Sequence, residues 1–503
     1  MLSAVDWLVV ATYGAGLALI GRWAAREGGD PFLADRRVPA WAASFSVVAT
    51  VLSAATFVGG PQQAFRGDWT YMVFKLAGLP ALVIVGLLFL PRFYAAGTAS
   101  IYGVLRQRYG EAAGRDASLA FLGGRLLASG ARLFMAGIPL SWALFQSAEL
   151  PQLALSIALV AAATGLYAVR GGMRAVVWTD VLQALVAVAV GVAGLVTLWG
   201  QLDLSLEEVL RLLQDGERDK LRVLDPSTAP DARFTIWTGL LGLPLFLVAA
   251  YAVDQDHVQR LMTCRTPREA LWAGVGSNLI GWPVTLLFLA LGSLLWVAAE
   301  TQGTALVDAS GDDRAVLVQY MLAELPLGLR GLMVAGVLAA AMSSLDSALN
   351  AMAATTLEDL VEPRRARRGQ QPLTTDERSA LARRLSLGWA LTLGALALLL
   401  AAWQEGSGRT LLEFALGVMS YAYAGLLGVF AVALFTRRGS AASVRRGLVT
   451  GALVILATEP RVHGLVSDST ALAFPWRLTL GTLLAAAVTL GASDAPRGKI
   501  TAP

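Results

Sequence analysis

Residues 331–355 read GLMVAGVLAAAMSSLDSALNAMAAT, an apolar run with hydroxyls and a carboxylate set into its middle. Crossing the hydrocarbon core of a bilayer takes roughly 20 such residues, and a helix alone satisfies every backbone N–H and C=O within one segment. Spacings of three and four put Ala340, Ser343, Ser344 and Ser347 along one helical face, with Asp346 and Asn350 at its edge. Hydroxyls and backbone carbonyls suit a weakly held monovalent cation that is released in each cycle. The same strip also suits hydrogen bonding to neighbouring helices. Asp346 weights the reading towards an ion, since a carboxylate inside a span costs roughly 2.5–3.5 kcal/mol and normally has a partner.

Working outward, the 503-residue chain is 56% hydrophobic and 15% charged, which places it in a bilayer rather than in water. Comparable runs recur about thirteen times, each of roughly 20 residues: 5–25, 41–60, 71–90, 119–145, 151–167, 175–199, 234–253, 271–299, 331–355, 385–402, 411–435, 447–458 and 472–491. The run 447–458 is short. No leader with a cleavage site precedes the first run, so 5–25 is expected to be retained. The fold class is therefore all-α integral membrane.

Several functions are excluded by what the chain contains. Cys264 is the single cysteine, and His257 and His463 are the only histidines, too few soft ligands for zinc or copper. The formal charge of +4 comes from basic residues between apolar runs, where topology accounts for them without nucleic acid. A Walker-type phosphate loop is absent, which argues against ATP as the energy source. No His-rich cluster or nucleophile with its base is visible, so the chain is not read as an enzyme.

Arginines retained on the cytoplasmic side set the orientation. Arg22, Arg26, Arg36 and Arg37 follow the first run, Arg260, Arg265 and Arg268 the seventh, and Arg364, Arg365, Arg367 and Arg368 the ninth. The segment 300–324, with Asp308, Asp312 and Asp313 against Arg314, is expected outside. The amino terminus is then outside and the tail with Arg497 and Lys499 cytoplasmic, in a plasma (inner) membrane. Residues 201–233 read as an amphipathic external segment, patterned by Leu204, Leu206, Val209, Leu210 and Leu213.

A transport site at mid-membrane needs backbone groups freed from helical bonding. The second run carries Ser53 and Thr56 in its middle and Gly59, Gly60 and Pro61 beyond. The seventh carries Gly239, Gly242 and Pro244 mid-run. Two interrupted runs, five apart and opposite in direction, fit the first helices of two inverted repeats, although glycine also serves ordinary packing. Asp180 is a second intramembrane acid, about two turns into the sixth run and at the expected depth of Asp346. Two such carboxylates need a cation or proton between them, or an arginine or a helix amino terminus for each.

Residues 171–183, GGMRAVVWTDVLQ, resemble the signature of the sodium:solute symporter family. Asp254, Gln255, His257, Val258, Gln259 and Arg260 resemble its next motif, and the double serine its ion-site helix. Residues 425–430, GLLGVF, resemble its tenth core helix. The resemblance implies a leucine-transporter-like 5+5 inverted repeat with one helix before and two after. The corresponding segments are 1–40, 41–200 for the first repeat, 201–233, 234–436 for the second repeat, and 437–503. It implies a principal sodium site from the carbonyls of Ala49 and Leu52 with Ala340, Ser343 and Ser344. A further cation site would use Asp180, Ser343, Asp346 and Ser347. Asp346 replaces a hydroxyl of the family pattern, which leaves two sodium ions, or one sodium and a proton, as alternatives.

For the solute, Phe246, Leu247 and Val248 stand where sugar carriers of the family have polar groups, and Val51 where proline carriers have an aspartate. Residues 348–360 resemble the branch that carries iodide, monocarboxylates and anionic vitamins, while Ser53 and Thr56 match hydroxyls that sialic acid carriers offer to a carboxylate. Arg132, mid-run in the fourth span, is the candidate carboxylate ligand, or else a structural partner. Arg125 reads as snorkelling, and Lys75 and Asp68 as interfacial beside the belt aromatics Trp69 and Tyr71. The expected partners are sodium, a small-molecule solute and the lipid bilayer, with no nucleic acid and the oligomeric state open. An inside-negative 100 mV supplies about 2.3 kcal/mol per sodium and a tenfold gradient about 1.4 more. The alternatives are a symporter of a neutral amino acid or sugar, and a non-transporting solute sensor.

Overall fold

The computed structural model describes residues 2–25, 30–168, 172–215, 219–302, 316–405, 410–464 and 471–491. Expectations resting on Arg26, Gly171, Asp308, Asp312, Asp313, Arg314, Arg497 and Lys499 lie outside them. Among the described residues, eight helices are long and apolar enough to cross a membrane, and two further spans are bent helix pairs. The shorter helices Leu150–Ala168, Ala441–Ala457 and Phe474–Leu490 complete the series of runs read from the sequence. The short run 447–458 is the later part of a helix that starts at Ala441, where the Ser440 hydroxyl caps the Ser443 N–H and Arg445 and Arg446 dilute the hydropathy.

The second span is the pair Ala40–Val51 and Thr56–Arg66, bent by 56°. The chain leaves the helix at Leu52 (φ −76°, ψ 55°) and is extended at Ser53 (φ −76°, ψ 171°). The seventh span is also broken, but not where its glycines and proline pointed. Gly239 and Gly242 sit in a π-helical turn, Thr238–Gly242, that runs straight on into Leu243–Ala252. Pro244 follows that turn, inside the continuous helix Thr238–Ala252. The 63° bend comes later, between Thr238–Ala252 and Gln255–Met262. There Asp254 is extended and its side chain caps the new helix by accepting from the Asp256 N–H. The Tyr102 hydroxyl donates to the Val253 carbonyl at 2.9 Å, satisfying backbone that the bend exposes.

Close helix crossings rest on small residues. A Cβ on Gly292 of the eighth span would lie 2.2 Å from the Pro61 carbonyl oxygen, and one on Gly451 would lie 2.4 Å from Gly425 Cα. On one side of the bundle the helix Leu206–Asp215 buries Val209 and Leu213. Its following segment is tied down by Lys220 Nζ donating to the Phe65 carbonyl at 2.9 Å and by the Arg222–Asp68 ion pair at 2.8 Å. Asp68 is held in that ion pair, whereas Lys75 and Tyr71, read with it as interfacial, are turned inward. Both are buried, with Tyr71 stacked on Phe74 inside the bundle. Cys264 is fully buried just after the seventh span, its carbonyl accepting the Tyr94 hydroxyl at 2.8 Å.

Candidate functional site

The break in the second span meets the serine face of the ninth. The Ser343 hydroxyl donates to the Ala49 carbonyl at 2.9 Å, and the Ser344 hydroxyl to the Thr50 carbonyl at 3.2 Å. Both hydroxyls also lie 3.3 Å from the Ala340 carbonyl. Oxygens of Ala49, Thr50, Ala340, Ser343 and Ser344 thus converge at the point where Leu52 ends the first half-helix. Thr50 is the member that sequence reasoning did not name. All these residues are buried, so the oxygens have one another rather than bulk water.

One turn along, Asp180 accepts from the Ser46 hydroxyl at 2.5 Å and lies 3.3 Å from Arg260 Nη2. Arg260 was expected in a cytoplasmic loop. It is instead fully buried on the second half of the broken seventh span, because that span continues to Met262. Its other arm pairs with Asp256, and Arg125 pairs with both Asp256 and, at 2.8 Å, Asp254. Arg125 is accordingly not a snorkelling residue either. The carbons of its stem would favour an interface, but two acids at the bend hold its guanidinium inside.

In this buried group the guanidiniums of Arg125 and Arg260 face the carboxylates of Asp254, Asp256, Asp180 and Asp346. Asp180 Oδ1 and Asp346 Oδ2 have no hydrogen-bond partner, while Asp346 Oδ1 takes the Ser347 N–H at 2.6 Å. Ligand atoms of Asp254, Asp256 and His257 lie within 4.8 Å of one another, a grouping that could suggest a metal. Guanidinium protons already occupy both acids there, so the group reads as a salt-bridge network.

Ser53, Thr56 and Arg132 line one cavity of ≈ 60 Å³ together with Val51, Tyr71, Phe74, Phe246, Tyr251, His257 and Met419. That space holds a few waters. Arg132 is buried, its Nη1 has no partner, and Nη2 reaches only the Met419 sulfur at 3.6 Å. No carboxylate among the described residues pairs with it. The three residues expected to contact solute are therefore brought to one chamber, beside the break that also presents Ala49 and Leu52. Of the aromatic walls, Phe246 was placed beside the solute from the sequence, whereas Tyr71, Phe74, Tyr251 and His257 were not, since their recruitment depends on how the broken spans face each other.

Residues 32–451 match the family model described as the sodium:solute symporter family. The chain belongs to that family. This symporter is 29% identical to the human sodium/iodide cotransporter over 88% of its own length and 67% of the relative's. It is 26% identical to the sodium/sialic acid symporter NanT of Aliivibrio fischeri over 99% and 93% of the two chains, and 28% identical to the human sodium-coupled monocarboxylate transporter 1 over 90% and 72%. Among solved structures, the symporter superposes on a substrate-bound, outward-open Na+-coupled sialic acid symporter with a TM-score of 0.82 at 22% identity, covering 98% and 99% of the chains. A nucleobase-cation-symport-1 family transporter in a closed conformation gives 0.53 at 16% identity, covering 91% and 92%. The fold is the leucine-transporter-like inverted repeat with one helix before and two after. The symporter is a multi-pass membrane protein that binds sodium and a transported solute, and it is not an enzyme.

Proposed function

We propose that the symporter uses sodium to import a small carboxylate-bearing solute across the plasma (inner) membrane, with its amino terminus outside and its carboxy terminus cytoplasmic. The observation that carries this reading is Arg132: a buried guanidinium with a free Nη1, facing a chamber shared with the hydroxyl residues Ser53 and Thr56. A permanent positive charge in that setting calls for an anion. The relatives named for sialic acid, monocarboxylates and iodide carry anions, which supports the same class.

Sodium is the co-substrate. We take Ala49, Leu52, Ala340, Ser343 and Ser344 as its principal site, with Asp180, Asp346 and Ser347 as a second cation site. The excess of carboxylates over guanidiniums around Arg260 favours that second positive charge. Repeats 41–200 and 234–436 would rock about these sites to alternate access. Uptake of labelled organic acids, sugars and amino acids into vesicles under an imposed sodium gradient tests the reading. Sodium-driven accumulation confined to acids is expected. Accumulation of neutral solutes alone would discard the carboxylate, and solute binding without uptake would make the chain a sensor.

A further inference from the structure

Lys75 lies on the third span, Met72–Ala96, and is 5% exposed. It lines a second cavity with Val48, Ser277, Asn278 and Thr285, and that cavity shares Val51, Thr56 and Tyr251 with the chamber of Arg132. The amides and hydroxyls around it are neutral, and Asn278 donates to the Lys75 backbone carbonyl at 3.4 Å rather than accepting from the ammonium. No carboxylate of the described residues pairs with Lys75. Among the described residues the symporter thus sets two buried cations, neither in salt-bridge contact with a carboxylate, around one common wall of Val51, Thr56 and Tyr251.

A buried charge is tolerated when it is paired and hydrogen-bonded. Elsewhere in this bundle that rule is kept: Arg125, Arg260 and Arg477 each face an acid. A monoanion held by Arg132 would leave the Lys75 ammonium unanswered, and a neutral hydroxyl does not replace the water a compact ammonium gives up. We propose that the transported solute is a dianion, with one carboxylate on Arg132 and a second anionic group on Lys75. The proposal rests on the carboxylate role of Arg132 and adds a second specificity-determining residue to it.

The test uses thermal stabilisation of the purified full-length protein in sodium-containing detergent buffer by straight-chain dicarboxylates from malonate to adipate, each against the monocarboxylate of equal chain length. Wild type, Lys75→Gln, Lys75→Arg and Arg132→Gln are compared. At least one dicarboxylate should act at a concentration about tenfold or more below its monocarboxylate, one charge-assisted contact being worth that ratio. Lys75→Gln should abolish this preference, while Lys75→Arg keeps it. Equal potency of mono- and dicarboxylates on wild type, an equal loss of both in Lys75→Gln, or no response to any acid would overturn the dianion. Arg132→Gln with undiminished response to both classes would instead overturn the carboxylate reading beneath it.

Discussion

Arg260 Nη2 donates to the backbone carbonyl of Ser343 at 3.1 Å, while the hydroxyl of the same serine donates to the Ala49 carbonyl. The second half of the broken seventh span therefore touches the ninth span at the residue that faces the break in the second. A shift of the seventh-span bend is felt at Ser343 without passing through lipid or solvent. The buried acids that hold Arg260, Asp180 and Asp256, belong to the same contact.

Removing that guanidinium leaves the buried Asp180 without a cation, while Asp256 keeps Arg125. Breaking a buried pair in this way costs about 3–5 kcal/mol. Arg260→Gln should lower the melting temperature sharply, and adding Asp180→Asn should restore part of it. Melting curves in detergent decide: an unshifted midpoint for Arg260→Gln would mean that the network does not hold the bend.

Alanine at Ser343 and Ser344 together removes two oxygens from the face that meets Ala49 and Thr50, and alanine is a good helix former. Sodium dependence of uptake should collapse while the protein still inserts and folds. Wild-type sodium affinity in the double variant would remove this face from the ion site.

Arg132 offers a planar fork that a carboxylate can accept at two points, whereas lysine offers a point charge. Arg132→Lys should keep part of the solute affinity and Arg132→Gln should lose about 1.5–3 kcal/mol of it, the worth of a charged hydrogen bond. Competition binding measures both. A glutamine variant that binds solute normally makes the arginine structural.

Asp346→Asn separates sodium from proton at the second site. If sodium binds there, the variant should lower the sodium Hill coefficient or the charge moved per solute and leave the principal site working. If a proton does, asparagine imitates the protonated acid, so the pH dependence of uptake should flatten. Identical stoichiometry and pH profile in the variant would leave one cation per cycle.

A Cβ on Gly292 would stand 2.2 Å from the Pro61 oxygen, a backbone atom that cannot turn aside. Gly292→Ala should cost about 1–3 kcal/mol, as overpacking does. The matched control is Gly281→Ala on the same helix, where a Cβ would meet nothing within 4 Å. Equal melting midpoints for the two would show that the second and eighth spans are not in close contact.

Much of this was legible in the sequence. Apolar length gave the spans, and the ninth-span spacing brought Ser343, Ser344 and Asp346 to the buried face. The interruption at Ser53 was legible too, since hydroxyl residues in mid-run offer the backbone other partners. What escaped has two causes. Whether a charged residue is in a loop or inside depends on partners distant in sequence: Arg125 meets Asp254 across 129 positions, and Arg260 meets Asp180 across 80. Counting arginines by loop put Arg260 outside the span, and reading glycine and proline as breakers put the seventh-span bend too early. The residue that marks the bend is Asp254, a helix cap, which a search for Gly and Pro passes over.

Cys264 is the single cysteine and has no surface, with Tyr94 across its backbone. A thiol reagent added from either side of a membrane therefore finds the native protein silent. Any cysteine introduced at Ser53 or Thr56 becomes the only reporter in the chain, and its labelling rate, with and without sodium, reads out when the chamber opens and to which compartment.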